Sequence, residues 1–250
     1  GEGQLQTYDI CSKRQEFYLK SGRGPFESLH VNSLSLSGDT VNVSVLPDAT
    51  CRYLIAEDRS ENCLVPLSME PSEGVFLNDE ILSFKRNPEA VQDSFMFCSY
   101  SLLDSTRSYW GLFPDNDEIK YPEYDESKHT AYQGDLYLSP DRGKALFVYY
   151  YAIGFDILDP ASQSNEHYIS KTPQVTVKHV EELNANFVRG TERWQRGYAE
   201  AQVTDSCFYL LCEQNGTSYV LEYDWEAAPL RLFCFEEKIR NIFVTSSGDY

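Results

Sequence analysis

The feature that most limits what this chain can fold into is a short unit that returns along its length. Its clearest copy runs Ser33-Leu34-Ser35-Leu36-Ser37, then Gly38-Asp39, then Thr40-Val41-Asn42-Val43-Ser44-Val45. Apolar and polar residues alternate on both sides of the Gly-Asp pair. A period of two sends successive side chains to opposite faces of a strand, and Gly-Asp turns the chain back into a hairpin. Two further runs, residues 51–56 and 63–67, are bounded by turn residues and complete four strands between Leu29 and Met69.

The pattern recurs. Residues 135–139 precede the turn Pro140-Asp141-Arg142-Gly143, and residues 144–151 follow it. Residues 199–204 precede Asp205-Ser206, and Cys207-Phe208-Tyr209-Leu210-Leu211-Cys212 follows. Gln214-Asn215-Gly216 then leads into residues 218–223, with 229–235 after them; residues 241–245 end in Ser246-Ser247-Gly248-Asp249. The anchors fall near Ser37, Pro140, Asp205 and Ser247, with a less regular copy at 101–105. Their spacing of roughly 40 to 65 residues matches the period of propeller blades. One such unit cannot bury both of its faces alone, so neighbours must stack around an axis. A sandwich or a large barrel is the alternative all-β layout, and neither needs this period.

The chain is therefore predicted to be all-β, a β-propeller of four-stranded antiparallel blades in a single domain over residues 1–250. Approximate blades are 26–70, 75–128, 133–180 and 198–238, with partial blade strands over 4–20 and 239–250. The expected total is five to six blades, with the end blades open to being incomplete. Residues 4–20 read as two outer strands without their inner pair, and 239–250 as an inner strand. Either the two ends share a blade and close the ring, or residues are missing at both ends. Two stretches fit the repeat badly. Residues 115–132 are acidic and Tyr-rich, and 180–197 is the best helix or long-loop segment; both are expected to project from one end, where binding surfaces sit.

Composition agrees with this reading. Of 250 residues, 42% are hydrophobic, which argues against global disorder, and 18 Tyr and 14 Phe lean the chain toward strand. A formal net charge of −18 would repel a phosphate backbone or an anionic lipid surface, so no nucleic-acid partner is expected. The acidity is read as keeping an exported protein soluble. No apolar run has the length to span a membrane. The start Gly1-Glu2-Gly3, without Met, reads as processed or engineered and is compatible with a removed export signal. Seven cysteines (Cys11, Cys51, Cys63, Cys98, Cys207, Cys212 and Cys234) follow no disulfide framework and mostly sit in apolar runs. They are expected as buried free thiols. A Cys51–Cys63 disulfide is the less favoured alternative.

The opening of the chain adds a resemblance. Thr7-Tyr8-Asp9-Ile10, Ser12-Lys13-Arg14 and Gly22-Arg23-Gly24-Pro25-Phe26-Glu27 resemble the first strands of the TolB-like six-bladed propeller family. Residues 134–143, 198–209 and 219–225 are similar to later parts of that family. The resemblance implies an exported bacterial protein of the periplasm or cell surface, lipid-anchored through a removed N-terminal segment. It also implies six blades, whereas about four full units are counted here. That family carries more chain before its Tyr-Asp-Ile strand, so residues missing at the N-terminus are the favoured explanation.

No catalytic constellation emerges. The histidines His30, His129, His167 and His179 lack zinc spacing, so they read as ordinary surface or strand residues, and no metal or cofactor is expected. Asp115-Asn116-Asp117-Glu118 lacks the Gly and the spaced Glu of a calcium loop and reads as an acidic turn. Asp141 and Asp205 read as turn formers. There is no Gly-x-Ser-x-Gly elbow and no phosphate loop. The candidate binding residues are Arg23 and Glu27, which would line the channel or pair with each other, and Trp110, Arg193, Trp194 and Tyr198. Aromatics suit sugar stacking, although inter-blade packing is the leading reading for Trp110 and for Tyr149-Tyr150-Tyr151. The function expected is a non-enzymatic cell-envelope scaffold, monomeric, for a protein, peptide or glycan. The alternative is a hydrolase or lyase with a metal in the central channel, held by Asp, Asn, Glu or His from several blades.

Overall fold

The computed structural model describes residues 3–9, 12–20, 30–37, 40–46, 49–54, 59–64, 74–77, 79–84, 95–114, 129, 131–171, 175–180, 185–190 and 197–244. The chain is all-β, laid down as successive antiparallel meanders, several of them four-stranded sheets. It divides into two compact units, Gly1–Ser83 with Ser101–Thr106, and Phe84–Tyr100 with Arg107–Tyr250.

In the first unit, β1 (Gly3–Asp9) and β2 (Arg14–Lys20) form a hairpin with Asp9 opposite Arg14. The alternating run forms β3 (His30–Ser37) and β4 (Thr40–Leu46), with Ser37 opposite Thr40. That register is what a two-residue connection at Gly38-Asp39 dictates. β5 (Ala49–Leu54) and β6 (Arg59–Leu64) complete a four-stranded sheet. Its register matches Cys51 with Asn62 and Thr50 with Cys63, so the two cysteines are not opposite one another. β7 (Val75–Leu77) pairs with β8 (Glu80–Phe84), burying Val75, Phe76, Leu77, Ile81 and Leu82. In the turn at 101–106, Asp104 Oδ1 accepts from the Thr106 amide at 3.1 Å and from its hydroxyl at 2.7 Å. The less regular anchor at 101–105 is thus an Asp-organised turn.

In the second unit, β9 (Phe95–Ser101) pairs with β10 (Arg107–Leu112). β11 (Gly134–Leu138), β12 (Ala145–Tyr149), β13 (Ile153–Asp159) and β14 (Ser164–Lys171) make one four-stranded sheet in chain order. β15 (Val175–Val180) and β16 (Ala185–Gly190) form a hairpin. β17 (Glu200–Val203), β18 (Cys207–Gln214), β19 (Thr217–Asp224) and β20 (Pro229–Phe235) form another four-stranded sheet. The β15–β16 hairpin corrects the expectation of a helix or long loop over 180–197. The charges of Glu181, Glu182 and Arg189 suggested a helix, but Phe187 and Val188 are good strand formers and pair with Lys178 and Val177. The expected strand over 239–250 also fails for 239–244, which carry none.

The second strand of each sheet explains how the sheets pack. All five residues of β12 are buried. Leu146 and Val148, with Phe155 and Ile157 of β13, pack against Ala201, Phe208, Leu210 and Trp225 of the β17–β20 sheet. Phe147 faces the other way, 5.0 Å from Phe84 and 5.3 Å from Phe97. Tyr149 lies on that side too, 5.7 Å from Tyr132. A strand apolar on both faces can be satisfied only between two neighbouring layers. β9 and the first five residues of β18 follow the same rule, since their interiors are also buried.

Polar turns join the same two sheets at their ends. Ser139 Oγ lies 2.6 Å from Asp141 Oδ1, which also accepts from the Gly143 amide at 2.9 Å. The Asp141 amide then donates to Asp205 Oδ1, in the corresponding turn of the next sheet, at 2.9 Å. Lys144 Nζ donates across to the Trp225 carbonyl at 3.0 Å. Asp141 thus organises its own turn, whereas Asp205 turns its carboxylate to the neighbouring sheet and the Thr204 hydroxyl, bonded to the Cys207 amide and carbonyl, organises the 204–207 turn.

Two glycines separate packing from backbone strain. A Cβ at Gly134 would meet the Val148 carbonyl oxygen at 2.2 Å, whereas one at Gly216 (φ 83°) would meet nothing within 4 Å. Gly134→Ala is therefore expected to cost about 3 kcal/mol through backbone displacement in a packed sheet. Gly216→Ala should cost about 1 kcal/mol from the left-handed backbone alone. Urea midpoints of the two variants measure the difference, and equal midpoints would contradict this packing.

Candidate functional site

The second unit holds a cleft of about 400 Å³ at one end of the β17–β20 sheet. It arises because β18 outruns β17: Glu200, the first residue of β17, is opposite Leu211, so Cys212–Gln214 extend beyond it. The backbone of Gly197–Ala199 covers part of that gap, with the Ala199 amide donating to the Leu211 carbonyl at 2.7 Å. The segment after β20 covers another part. Its Ile239 amide donates to Ser218 Oγ at 2.8 Å, and its Ile242 amide to Glu200 Oε2 at 2.9 Å. Ile239, Ile242 and Val244 pack over Cys207, Tyr209, Leu211 and Val220. With Ile239 anchored, its neighbours Lys238 and Arg240 are placed at the cleft.

The cleft is lined by Ala199 and Ile239, which are apolar, and by the charged residues Glu213, Lys238 and Arg240. Lys238 Nζ is 2.6 Å from Glu213 Oε2. Both groups are exposed enough that the pair adds little stability, but it fixes where Lys238 sits. Among the described residues Arg240 has no hydrogen-bond or ion-pair partner. Burial pushes the Cys212 thiol up, so its reactive thiolate is disfavoured.

Two buried polar networks lie in the same unit. Asp156 is fully buried and accepts from Tyr149 Oη at 2.5 Å, Asn165 Nδ2 at 2.8 Å and His167 Nδ1 at 2.9 Å. Burial first, and Asp156 second, push the Tyr149 hydroxyl well above the ordinary phenol value. Glu222, 3% exposed, is gripped by Arg231, whose Nη2 donates to Oε1 at 2.9 Å and whose Nε donates to Oε2. Tyr209 Oη adds a bond to Oε1 at 3.3 Å, and Cys207 Sγ lies 3.3 Å from the same hydroxyl. The Arg231 hydrogen bonds hold the Glu222 carboxyl below its ordinary value, against an opposing contribution from burial. Among the described residues no three His, Cys, Asp or Glu side chains converge to hold a metal ion, and no helix is long and apolar enough to cross a membrane.

Of the candidate residues from the sequence, Trp110 and Tyr198 are among the described residues. Arg23, Glu27, Arg193 and Trp194 lie outside the described residues, as does the acidic turn at 115–118. Trp110 is 3% exposed, its Nε1 donates to Ser99 Oγ at 2.9 Å, and its ring sits 5.3 Å from Phe97. It packs inside the unit and presents no face for a sugar. Tyr198 packs against the core around Phe155, Phe208 and Trp225, with its hydroxyl pushed up by burial. Only its backbone neighbours Gly197 and Ala199 line the cleft. His129 is fully buried, with Nε2 3.1 Å from the Phe95 carbonyl, rather than at the surface. Cys98 and Cys207 are buried free thiols, as expected, whereas Cys212 is half-buried and Cys234 is exposed. Sequence reasoning missed Glu213, Lys238 and Arg240. The available signal was the pair Ile239 and Ile242 set among charges after β20.

No protein-family model and no curated protein sequence matches the chain. Among solved structures it is similar to a member of the DUF4221 family from Bacteroides vulgatus, with a TM-score of 0.54 and 10% identity over 92% of this chain and 74% of that one. It is also similar to the Cps50 (Swd1) β-propeller domain of Myceliophteria thermophila, with a TM-score of 0.42 and 9% identity over 96% and 81% of the two chains. An auxiliary nutrient binding protein from Bacteroides thetaiotaomicron matches with a TM-score of 0.41 and 8% identity over 85% of this chain and 44% of that one. Identities this low speak to fold alone.

Tyr149→Phe should destabilise the protein by about 1–3 kcal/mol by withdrawing a donor from a buried acceptor. Asp156→Ala should cost about 3 kcal/mol or more, because it strands the Tyr149 hydroxyl and leaves a cavity. Both are read from urea unfolding, and a neutral Asp156→Ala would refute the role of this carboxylate. For Glu222 the folded value is the lower one. Its contribution is therefore present above the ordinary glutamate range and lost as pH falls through the lowered folded value. Glu222→Gln should flatten the acid loss of stability in urea midpoints taken between about pH 6 and pH 3, the range that spans a carboxylate titration.

Proposed function

We propose that this chain is a non-enzymatic binding scaffold of the cell envelope, of the TolB-like propeller kind, exported to the periplasm or cell surface. It acts as a monomer and takes a peptide, protein or glycan at the cleft beside β18. The observation that carries this reading is the way the cleft is built. Two backbone hydrogen bonds, to Ser218 and Glu200, hold the segment after β20 in place. Anchored apolar residues then set charged side chains around a concavity of about 400 Å³. A preformed hollow that combines apolar surface with oriented polar groups is a common form of a small-ligand or peptide-end site, and this cleft has both in similar measure. Export agrees with the acidic composition and with the resemblance of residues 7–27 to an exported family.

The reading is tested by screening the purified protein on glycan and peptide arrays and confirming hits by calorimetry. Ala199 is exposed at the cleft wall, so Ala199→Trp fills the cleft without disturbing the core. The expected outcome is a confirmed ligand whose affinity falls at least about tenfold in Ala199→Trp, a loss of about 1.4 kcal/mol, with an unchanged urea midpoint. Binding that is indifferent to that substitution, or no ligand on either array, would refute the reading.

A further inference from the structure

The cleft's charges point to the chemistry of its ligand, an inference that rests on the binding reading above. The chain carries 39 acidic against 21 basic residues, yet two of the basic ones flank a single anchored residue at this cleft. Lys238 and Arg240 flank Ile239 in the chain, and all three line the cleft. Glu213 offsets the charge of Lys238 at 2.6 Å. Among the side chains that line the cleft, that leaves one surplus guanidinium, Arg240, which has no partner among the described residues.

A guanidinium presents a planar fork of donors that matches a carboxylate with two parallel hydrogen bonds. A phosphate dianion would bring twice the charge into the field of a protein with net charge −18, and one surplus cation would not offset it. A monoanion is the better match. The apolar surfaces of Ala199 and Ile239 beside it suit the face of a sugar ring or a short aliphatic side chain.

We infer that the cleft is a carboxylate-recognition site, in which Arg240, steadied by the adjacent Lys238–Glu213 pair, binds the carboxylate of a small organic acid whose apolar face rests on Ala199 and Ile239. Two sources supply that chemistry: a uronic acid at the end of a glycan, or the C-terminus of a peptide.

Calorimetric titration of the whole chain separates them with four probes. These are digalacturonic acid and its methyl ester, and an N-acetylated Ala-Leu-Ala tripeptide as free acid and as C-terminal amide. The expected result is that at least one acid binds and its neutral counterpart binds at least about tenfold more weakly. Arg240→Gln should abolish that difference while leaving the urea midpoint unchanged, and Arg240→Lys should restore part of it. Which acid binds identifies the source. If acid and neutral probes bind alike and Ala199→Trp weakens both, the cleft is a binding site but the carboxylate assignment is overturned. If an acid binds equally well to Arg240→Gln, Arg240 is not its recogniser and the assignment falls. If none of the four probes binds, the carboxylate assignment falls as well, and the scaffold reading is then decided by the arrays.

Discussion

The second unit depends on one constraint: β12 must be covered on both faces at once. Its alternate residues belong to different cores, Leu146 and Val148 to one and Phe147 and Tyr149 to the other. Neither face has a polar residue to offer water. Burying a Leu or Phe side chain contributes about 2 kcal/mol, so exposing either face would remove several such contributions from a domain only marginally stable in total. The layers on each side are therefore obligatory, and sheet-to-sheet stacking follows from the sequence of one strand. β13 adds a polar condition to the same design. Phe155 and Ile157 join the core shared with the β17–β20 sheet, whereas Asp156 points the other way and needs donors there.

Those donors make Asp156 a joint between strands. Tyr149 comes from β12 and His167 and Asn165 from β14. Asn165 reaches further, accepting from the Leu112 amide at 3.1 Å and donating to its carbonyl at 3.2 Å. A side-chain amide here imitates a strand neighbour and pairs β14 with the end of β10. Gly111 sits beside this contact at φ 73°, where a Cβ would meet Phe97 at 2.6 Å and Asn165 at 3.2 Å. The close approach needs both the missing Cβ and the left-handed backbone. A buried carboxylate is costly unless fully satisfied, so this joint tolerates few alternatives and specifies how the layers meet.

The parts of this architecture that were legible in the sequence share a local cause. Alternation from Ser33 to Val45 sets β3, β4 and their register, and the Ser139–Gly143 and Asn215-Gly216 turns announce their hairpins through residues suited to those backbones. What was not legible depended on long-range placement. For Trp110 the sequence favours packing and leaves sugar stacking open, and only the arrangement of Phe97 and Ser99 decides for packing. Tyr198 is ambiguous for the same reason. The β15–β16 hairpin was masked by charges that suit a helix equally well, so its strand pairing outweighed a weak local preference. Asp156, His167 and Asn165 are scattered single letters until β13 and β14 pair Asp156 with His167.

The cleft belongs to this last class, and its origin explains why such a fold places a site there. Where neighbouring strands differ in length the ladder between them runs out, as it does when eight-residue β18 passes four-residue β17. The unpaired end must then be met by something other than a strand. Here it is met by Gly197–Ala199 and by a segment that bonds through Ser218 and Glu200 in place of a ladder. Such a segment is freed from strict alternation with a partner strand. It can pack Ile239 and Ile242 against the core while placing Lys238 and Arg240 at the cleft. Residues 239–244 carry no strand, and the cleft lies where this segment meets the end of β18.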